Sequence, residues 1–166
     1  LSSFGKGHVI FEKNLPLYKK EWSVEPKDPE DFESIKDIIL PTVAANHDIK
    51  FVFFFPPYSL HFYALQKQGE FKEMIEFRRN LVKELSKYEN TEIYAFDLLN
   101  MGTDDLNQYK DIGHYHPDLG KKAITAISSG KGRLRVEEIE RHIQKFTKKI
   151  NAYCSAAGSQ CRETNG

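Results

Sequence analysis

Two histidines and two aspartates lie within eight residues of one another, at Asp111, His114, His116 and Asp118. Asp111 and His114 are three positions apart, and Gly113 between them allows the backbone a wider range of angles. In a loop or a first helical turn, this spacing lets the carboxylate reach one imidazole nitrogen. The other nitrogen then remains free to take a proton from a hydroxyl group. The spacing therefore predicts a general-base pair in which Asp111 orients His114.

The same cluster has two other interpretations. Its two imidazoles and two carboxylates could bind zinc or another divalent ion. However, His114 and His116 would point in opposite directions from an extended segment, and Pro117 restricts any rearrangement. We therefore expect no metal site and no cofactor. The other alternative is a surface loop in which Asp111 only caps a helix. The remaining histidines are expected to be ordinary surface or interface residues: His8, His47, His61 and His142.

The elements around this cluster indicate an α/β fold. Residues 49–55 are an almost wholly apolar run ended by Pro56 and Pro57, which is typical of a strand buried on both faces of a parallel sheet. A second strand is expected at 91–97, followed by a long polar loop at 100–118. Helices are expected at 60–68, 70–88, 119–129 and 136–153. This alternation of helices and strands predicts parallel pairing.

The region ahead of the first strand has a weaker pattern. Residues 8–11 could form a short strand. A helix is expected to start at Asp28 and Pro29, because aspartate caps helices and proline suits the first helical position. This helix should be kinked or split at Pro41 and should end at Asn46.

The sheet that these elements predict is incomplete. Only two strands are assigned, whereas sheets usually contain about five or six, and a strand buried on both faces needs neighbours along both edges. We therefore expect residues 1–166 to form a single domain that is the C-terminal part of a larger α/β domain. In that case a missing N-terminal half supplies the other strands. Alternatively, a second copy of the chain completes the sheet. Residues 154–166 are expected to be a flexible tail.

The composition excludes some classes of partner. The 24 Lys and Arg residues balance the 24 Asp and Glu residues, so the formal net charge is zero and no nucleic-acid partner is expected. No apolar run reaches the roughly 18–20 residues that span a bilayer, and no signal peptide is visible. Because the chain begins at Leu1, it could be cut from a longer precursor. Cys154 and Cys161 could form a disulfide, which would suit an oxidising compartment, or could remain free thiols.

Three segments should emerge from the carboxyl ends of the predicted strands, where α/β sheets bind their ligands. They are residues 56–59, 97–100 and 100–118, and we expect them to converge. Ser59 lies between a strand and a helix, where a nucleophile could be displayed. A serine at that place also caps the helix that follows, and the cap is the favoured interpretation.

Residues 107–120, with the sequence Asn-Gln-Tyr-Lys-Asp-Ile-Gly-His-Tyr-His-Pro-Asp-Leu-Gly, resemble the last sequence block of SGNH-type hydrolases and acyltransferases. That block carries Asp-x-x-His followed by a helix. Residues 53–59 and 92–97 resemble a bacterial cell-envelope branch of the same superfamily. The resemblance covers about residues 29–127 and does not extend to the tail.

The resemblance implies a flavodoxin-like three-layer α/β/α fold with a parallel sheet and serine ester chemistry. The reaction would be hydrolysis, or transfer of small acyl groups on cell-surface sugars, in the periplasm or at the cell envelope. The resemblance also implies that His114 is the general base and that Asp111 is its orienting partner. Tyr58, Ser59 and Tyr115 are expected to contact the substrate, an acylated carbohydrate or a small ester.

The chain also departs from that family. The family's nucleophile lies in a Gly-Asp-Ser-like block near the start of the domain, and this chain contains no Gly-x-Ser and no Gly-Asp-Ser. The Gly-x-Asn-Asp block that helps to line the oxyanion hole is also absent. Ser128 and Ser129 are expected only to end a helix. The chain thus carries the Asp–His half of a triad, and little activity is expected from it alone. The alternative is a non-catalytic binding or scaffold domain of the same fold.

Overall fold

The computed structural model describes residues 32, 34–66, 68–99, 101–111 and 113–157. The predicted strand at 8–11, the predicted helix start at Asp28 and the second cysteine, Cys161, lie outside these residues. In the described ranges, no helix is long and apolar enough to cross a membrane.

Within the residues that the structure describes, two strands and five α-helices follow the predicted order. They are α1 Leu40–Ala45, β1 Phe51–Phe55, α2 Leu60–Ala64, α3 Gln68–Leu85, β2 Thr91–Ala95, α4 Pro117–Ser128 and α5 Ile139–Ala157. Short 3-10 turns occur at Leu106–Gln108 and Val136–Glu138. The type of each element predicted in this part of the chain is confirmed, while β2 and α2 end a few residues earlier than expected.

The first helical segment changes its winding just before Pro41. Ile35–Ile39 forms a π-helical turn, in which the Leu40 N–H donates to the Ile35 carbonyl. A proline has no N–H to donate to the carbonyl four residues earlier, so ordinary α winding cannot be completed through this position. In α1 itself, Pro41 occupies the first turn, where its missing N–H has no helical partner. The sequence predicted a kink or a split at Pro41, and the structure shows a change from π to α winding at Leu40, one residue earlier.

The two strands form a parallel pair between two layers of helices. Phe51 lies opposite Thr91, and Phe55 lies opposite Ala95. Because side chains alternate along a strand, consecutive residues of β2 enter different cores. Ile93 and Ala95 belong to a cluster built mainly with α2, α3 and α5, whereas Tyr94 belongs to a second cluster that includes α4. The arrangement is a mixed α/β fold with the helix–sheet–helix layering of a partial α/β/α domain.

The prediction that β1 is buried on both faces is wrong for the described residues. Phe53 and Phe55 pack partly buried against the larger core cluster, but Val52 is 41% exposed and Phe54 is 48% exposed. The reason is the position of α4, whose buried residues group with β2 side chains and with no residue of β1. Phe54 makes a ring contact with Phe96 on that side, at 5.9 Å between centroids.

Gly132 holds the segment after α4 against β2. Its carbonyl accepts a hydrogen bond from the Ala95 N–H at 2.9 Å, and the Leu134 N–H donates to the Ile93 carbonyl at 2.7 Å. The φ angle of Gly132 is +86°, and an added Cβ would lie 2.8 Å from Leu99 Cδ1. Only glycine satisfies both the backbone angle and this close approach.

We expect Gly132→Ala to lower the free energy of unfolding by about 1–3 kcal/mol, because it combines left-handed backbone strain with a clash. Gly69→Ala is the matched control. Gly69 lies in α3 with nothing within 4 Å of an added Cβ, so alanine there should raise stability by about 0.5–1 kcal/mol. Urea unfolding followed by circular dichroism measures both effects, and equal stability of Gly132→Ala and the wild type would contradict this account.

Candidate active site

The three segments that follow the strands converge as predicted. The Tyr109 hydroxyl donates to the Pro57 carbonyl at 2.7 Å, and the Leu60 N–H donates to the Thr103 carbonyl at 2.8 Å. Lys149 of α5 adds a third connection, because its Nζ lies 3.2 Å from the Asp97 carbonyl oxygen and 3.2 Å from Thr103 Oγ1. The long loop is therefore fixed to the ends of both strands.

A tight reversal in this loop carries the predicted pair. Tyr109 and Tyr115 face each other in an antiparallel bridge. The Lys110 N–H donates to the His114 carbonyl at 2.8 Å, and the His116 N–H donates to the Gln108 carbonyl at 2.6 Å. Tyr109 is fully buried and anchors one arm of the reversal to the core. Asp111 and His114 lie at the tip, so the core sets their position.

Asp111 and His114 make the contact that their spacing predicts. Asp111 Oδ2 lies 2.6 Å from His114 Nδ1. The other carboxylate oxygen, Oδ1, accepts hydrogen bonds from the backbone N–H groups of Gly113 at 2.9 Å and His114 at 2.8 Å. Asp111 is buried, whereas the His114 side chain is 76% exposed. A fixed carboxylate thus holds one edge of an imidazole whose other edge faces outward.

The charge of Asp111 determines which nitrogen of His114 carries the proton. Burial raises the pKa of the Asp111 carboxyl, but the backbone N–H groups of Gly113 and His114 and the His114 ring outweigh it and hold this pKa below its ordinary value. The ionised carboxylate only accepts hydrogen bonds, so His114 Nδ1 is the donor. In the neutral ring, Nε2 then keeps its lone pair. No residue in the described ranges hydrogen-bonds to Nε2.

This electrostatic arrangement predicts a pH-dependent stability. A carboxyl group whose folded-state pKa is lowered contributes stability above its unfolded value of about 3.9 and loses it as the pH falls through the folded pKa. Asn at position 111 can still accept from the backbone but cannot ionise. We expect the stability difference between wild type and Asp111→Asn to be present above about pH 4 and to shrink below it. Denaturant unfolding from pH 3 to 7 measures it, and a pH-independent difference would contradict this role for the charge.

His116 and Asp118 are neighbours of the pair and not part of it. His116 is the N-cap of α4, and its Nδ1 accepts from the Asp118 N–H at 3.3 Å. Asp118 forms an exposed ion pair with Lys121 at 3.2 Å. Among the residues that the structure describes, no three His, Cys, Asp or Glu side chains are grouped as metal ligands would be.

The three residues predicted to contact a substrate lie in different environments. Ser59 is completely buried and caps α2, because its Oγ accepts from the Phe62 N–H at 3.0 Å. The favoured interpretation of Ser59 as a helix cap is confirmed, and its burial leaves no surface for a substrate. Tyr58 is partly buried and packs on the Phe62 ring at 4.8 Å between centroids. Tyr115, next to His114, is also partly exposed.

A buried charged network was not predicted from the sequence. Arg78 of α3 and Asp97 form an ion pair, with Nη1 and Oδ2 2.5 Å apart, and His142 of α5 places its Nε2 2.9 Å from the same Nη1. The Arg78 guanidinium lies over the rings of Phe55, at 4.2 Å, and Phe146, at 4.6 Å. Arg78 was the one charged residue on the apolar face of its helix, and this was the available signal for a buried partner.

The environment predicted from the sequence is also wrong for two histidines. His61 is 1% exposed and His142 is 9% exposed, so the prediction that they lie at the surface is wrong. Both are held by aromatic and charged neighbours: His61 Nδ1 lies 3.3 Å from the Tyr153 hydroxyl, and His142 stacks near Phe146. A single histidine on a mixed helix carries no sequence signal for such contacts.

The geometry of the loop reversal defines this site. It contains an imidazole held by a carboxylate, next in the chain to the partly exposed Tyr115. The chain matches no protein-family model, no curated protein and no solved structure.

Proposed function

We propose that this chain carries the general base of an SGNH-like ester hydrolase or O-acyltransferase. One observation carries the proposal: Asp111 holds His114 through Nδ1 at 2.6 Å, and the imidazole extends outward with Nε2 open. This is the relation between acid and base in a Ser-His-Asp triad. The resemblance of residues 107–120 to the last block of SGNH enzymes supports the same assignment.

The proposed reaction has two acyl-transfer steps, and in each step His114 accepts one proton and then donates it. Nε2 takes the proton of a serine hydroxyl as the serine oxygen attacks the ester carbonyl carbon. The imidazolium, stabilised by the Asp111 carboxylate, then gives this proton to the departing alcohol oxygen. Water or an acceptor hydroxyl next attacks the acyl-serine ester and loses its proton to Nε2. The acyl–serine bond then breaks, and Nε2 returns the proton to the departing serine oxygen. Water gives hydrolysis, and a sugar hydroxyl gives acyl transfer.

In this proposal, the nucleophilic serine is not Ser59, Ser128 or Ser129. Ser59 is buried as a helix cap. Ser128 Oγ donates to the Ile124 carbonyl at 3.1 Å, and Ser129 Oγ donates to the Ala126 carbonyl at 3.0 Å. All three hydroxyls are therefore bound to their own helices. The proposal assigns the nucleophile to an adjoining segment or to a partner chain that brings a serine to His114.

The proposed substrate is an acylated carbohydrate of the cell envelope or a small ester. Tyr115 and Tyr58 are the two predicted contact residues that keep exposed surface. Partly exposed tyrosine rings give an apolar face with a polar edge, which suits a sugar ring. The cell-envelope location and the carbohydrate class follow from the resemblance and belong to the proposal.

The test uses the natural gene product that contains residues 1–166. We expect it to hydrolyse p-nitrophenyl acetate and to be inactivated covalently by a serine-directed fluorophosphonate. The isolated chain should do neither, because the hydroxyls of Ser59, Ser128 and Ser129 are bound to their own helices. Hydrolysis that resists the fluorophosphonate would overturn the serine mechanism. Absence of both turnover and labelling would favour the alternative, a non-catalytic binding or scaffold domain.

A further inference from the structure

A concave site is lined by residues other than the Asp111–His114 pair. A cavity of about 180 Å³ opens between the end of β2, the segment around Gly132 and the first turns of α5. It therefore adjoins the carboxyl end of a parallel strand, the usual place for ligands in α/β sheets. Its apolar wall includes Leu98, Leu99 and Leu134. The approach of Gly132 to Leu99, which only glycine permits, closes one side of the cavity.

The polar lining of the cavity is mostly basic. Arg133, Arg141 and Lys145 line it together with a single acid, Glu138. The lining residues thus carry more positive than negative charge, in a chain whose formal net charge is zero. Arg141 forms an ion pair with Glu138 at 2.5 Å, and Arg133 forms an ion pair with Glu92 at 2.9 Å. No described residue forms an ion pair with Lys145, so its charge is available to a ligand.

His142 belongs to the same lining. It is nine-tenths buried, and its Nε2 lies 2.9 Å from Arg78 Nη1. The same Nε2 lies 3.5 Å from Asp97 Oδ1. No residue in the described part of the chain is bonded to Nδ1. Because the Nε2 edge faces Arg78 and Asp97, the Nδ1 edge is the one left for the cavity.

We propose that this cavity binds an oxyanion of the phosphate class, carried on a small molecule or a polymer. The charges of Arg141 and Lys145 would contact its oxygens beside the His142 ring, because guanidinium and ammonium groups bind phosphate through charge-assisted hydrogen bonds. The leucine wall would pack against the group that carries the phosphate. This site is independent of the proposed ester chemistry, because it shares no residue with the Asp111–His114 pair.

The test measures binding of inorganic phosphate and of glycerol 3-phosphate to the chain by NMR titration. We expect saturable shifts in both, with the ester binding more tightly than free phosphate if the leucine wall takes part. Equal affinity would assign the site to free phosphate, and acetate should bind at least about tenfold more weakly than either ligand. The direct readout is the ¹⁵N signal of His142 Nδ1, which should move with the same binding curve.

Two exposed residues give variants that leave the core intact. Arg141→Ala with Lys145→Ala should weaken phosphate binding by about tenfold or more, because each removes one charge from the lining. Lys148→Ala, on the same helix and exposed outside the cavity lining, is the matched control and should bind as the wild type does. Unchanged affinity in the double variant, an equal loss in Lys148→Ala, or no saturable shift at millimolar phosphate would overturn the proposal.

Discussion

Asp97→Ala is expected to lower the free energy of unfolding by about 3–5 kcal/mol, the usual cost of removing one partner from a buried ion pair. Asp97 is completely buried and Arg78 is 5% exposed. Burial alone would raise the pKa of the Asp97 carboxyl, but the charge of Arg78 and the contact with His142 hold it below its ordinary value. Without the carboxylate, the guanidinium would remain between the Phe55 and Phe146 rings with no opposite charge.

Two further variants separate charge from packing at this position. Glu140→Ala removes an exposed partner of Arg79 on the same pair of helices, and it should change the unfolding midpoint little. Arg78→Met combined with Asp97→Leu replaces the ion pair by apolar side chains, and it should be more stable than Asp97→Ala alone. Urea unfolding measures all three. If Asp97→Ala were no more harmful than Glu140→Ala, the buried pair would not have the structural role assigned to it.

His114→Ala is expected to reduce ester turnover by the natural gene product by about 10⁴-fold or more, because the attacking hydroxyl would lose its base. Asp111→Asn should cost about 10⁴-fold, since an amide can donate to Nδ1 and leave the ring in the wrong tautomer. The His114 side chain is largely exposed, so its truncation should leave the fold unchanged. Initial rates with p-nitrophenyl acetate, with circular dichroism to confirm folding, measure both effects.

His47→Ala is the matched control for this loss. His47 is an exposed histidine in the turn after α1, and its removal should leave turnover unchanged. A natural gene product in which His114→Ala and His47→Ala retain equal activity would contradict the assignment of His114 as the base. Loss of turnover in Asp111→Asn alone, with His114→Ala active, would contradict it as well.

Local patterns allowed the elements and the loop pair to be predicted. Asp111 and His114 are three residues apart, so their contact depends on the local chain reversal and was visible in the spacing. The apolar run of β1 and the helical repeat of α3 were equally local. Ser59 could be assigned as a cap because capping involves a backbone group only three residues away.

Contacts between distant residues could not be predicted in the same way. Arg78 and His142 are separated by 64 positions, and no periodic pattern relates them. The exposure of Val52 and Phe54 depends on where α4 packs, which the composition of β1 does not reveal. The cavity beside His142 likewise depends on the close approach of Gly132 to Leu99. These features arise from tertiary packing, where each side chain's surroundings come from several elements.

The tautomer of His114 is the measurement that tests the central claim most directly. Long-range ¹H–¹⁵N NMR, recorded at a pH high enough for the imidazole ring to be neutral, distinguishes a protonated ring nitrogen from one with a free lone pair. We predict that His114 Nδ1 carries the proton and Nε2 does not, because Asp111 Oδ2 lies 2.6 Å from Nδ1. Asp111→Asn should abolish this preference. A wild-type His114 protonated on Nε2, or one unaffected by Asp111→Asn, would contradict the assignment of the pair as an oriented base.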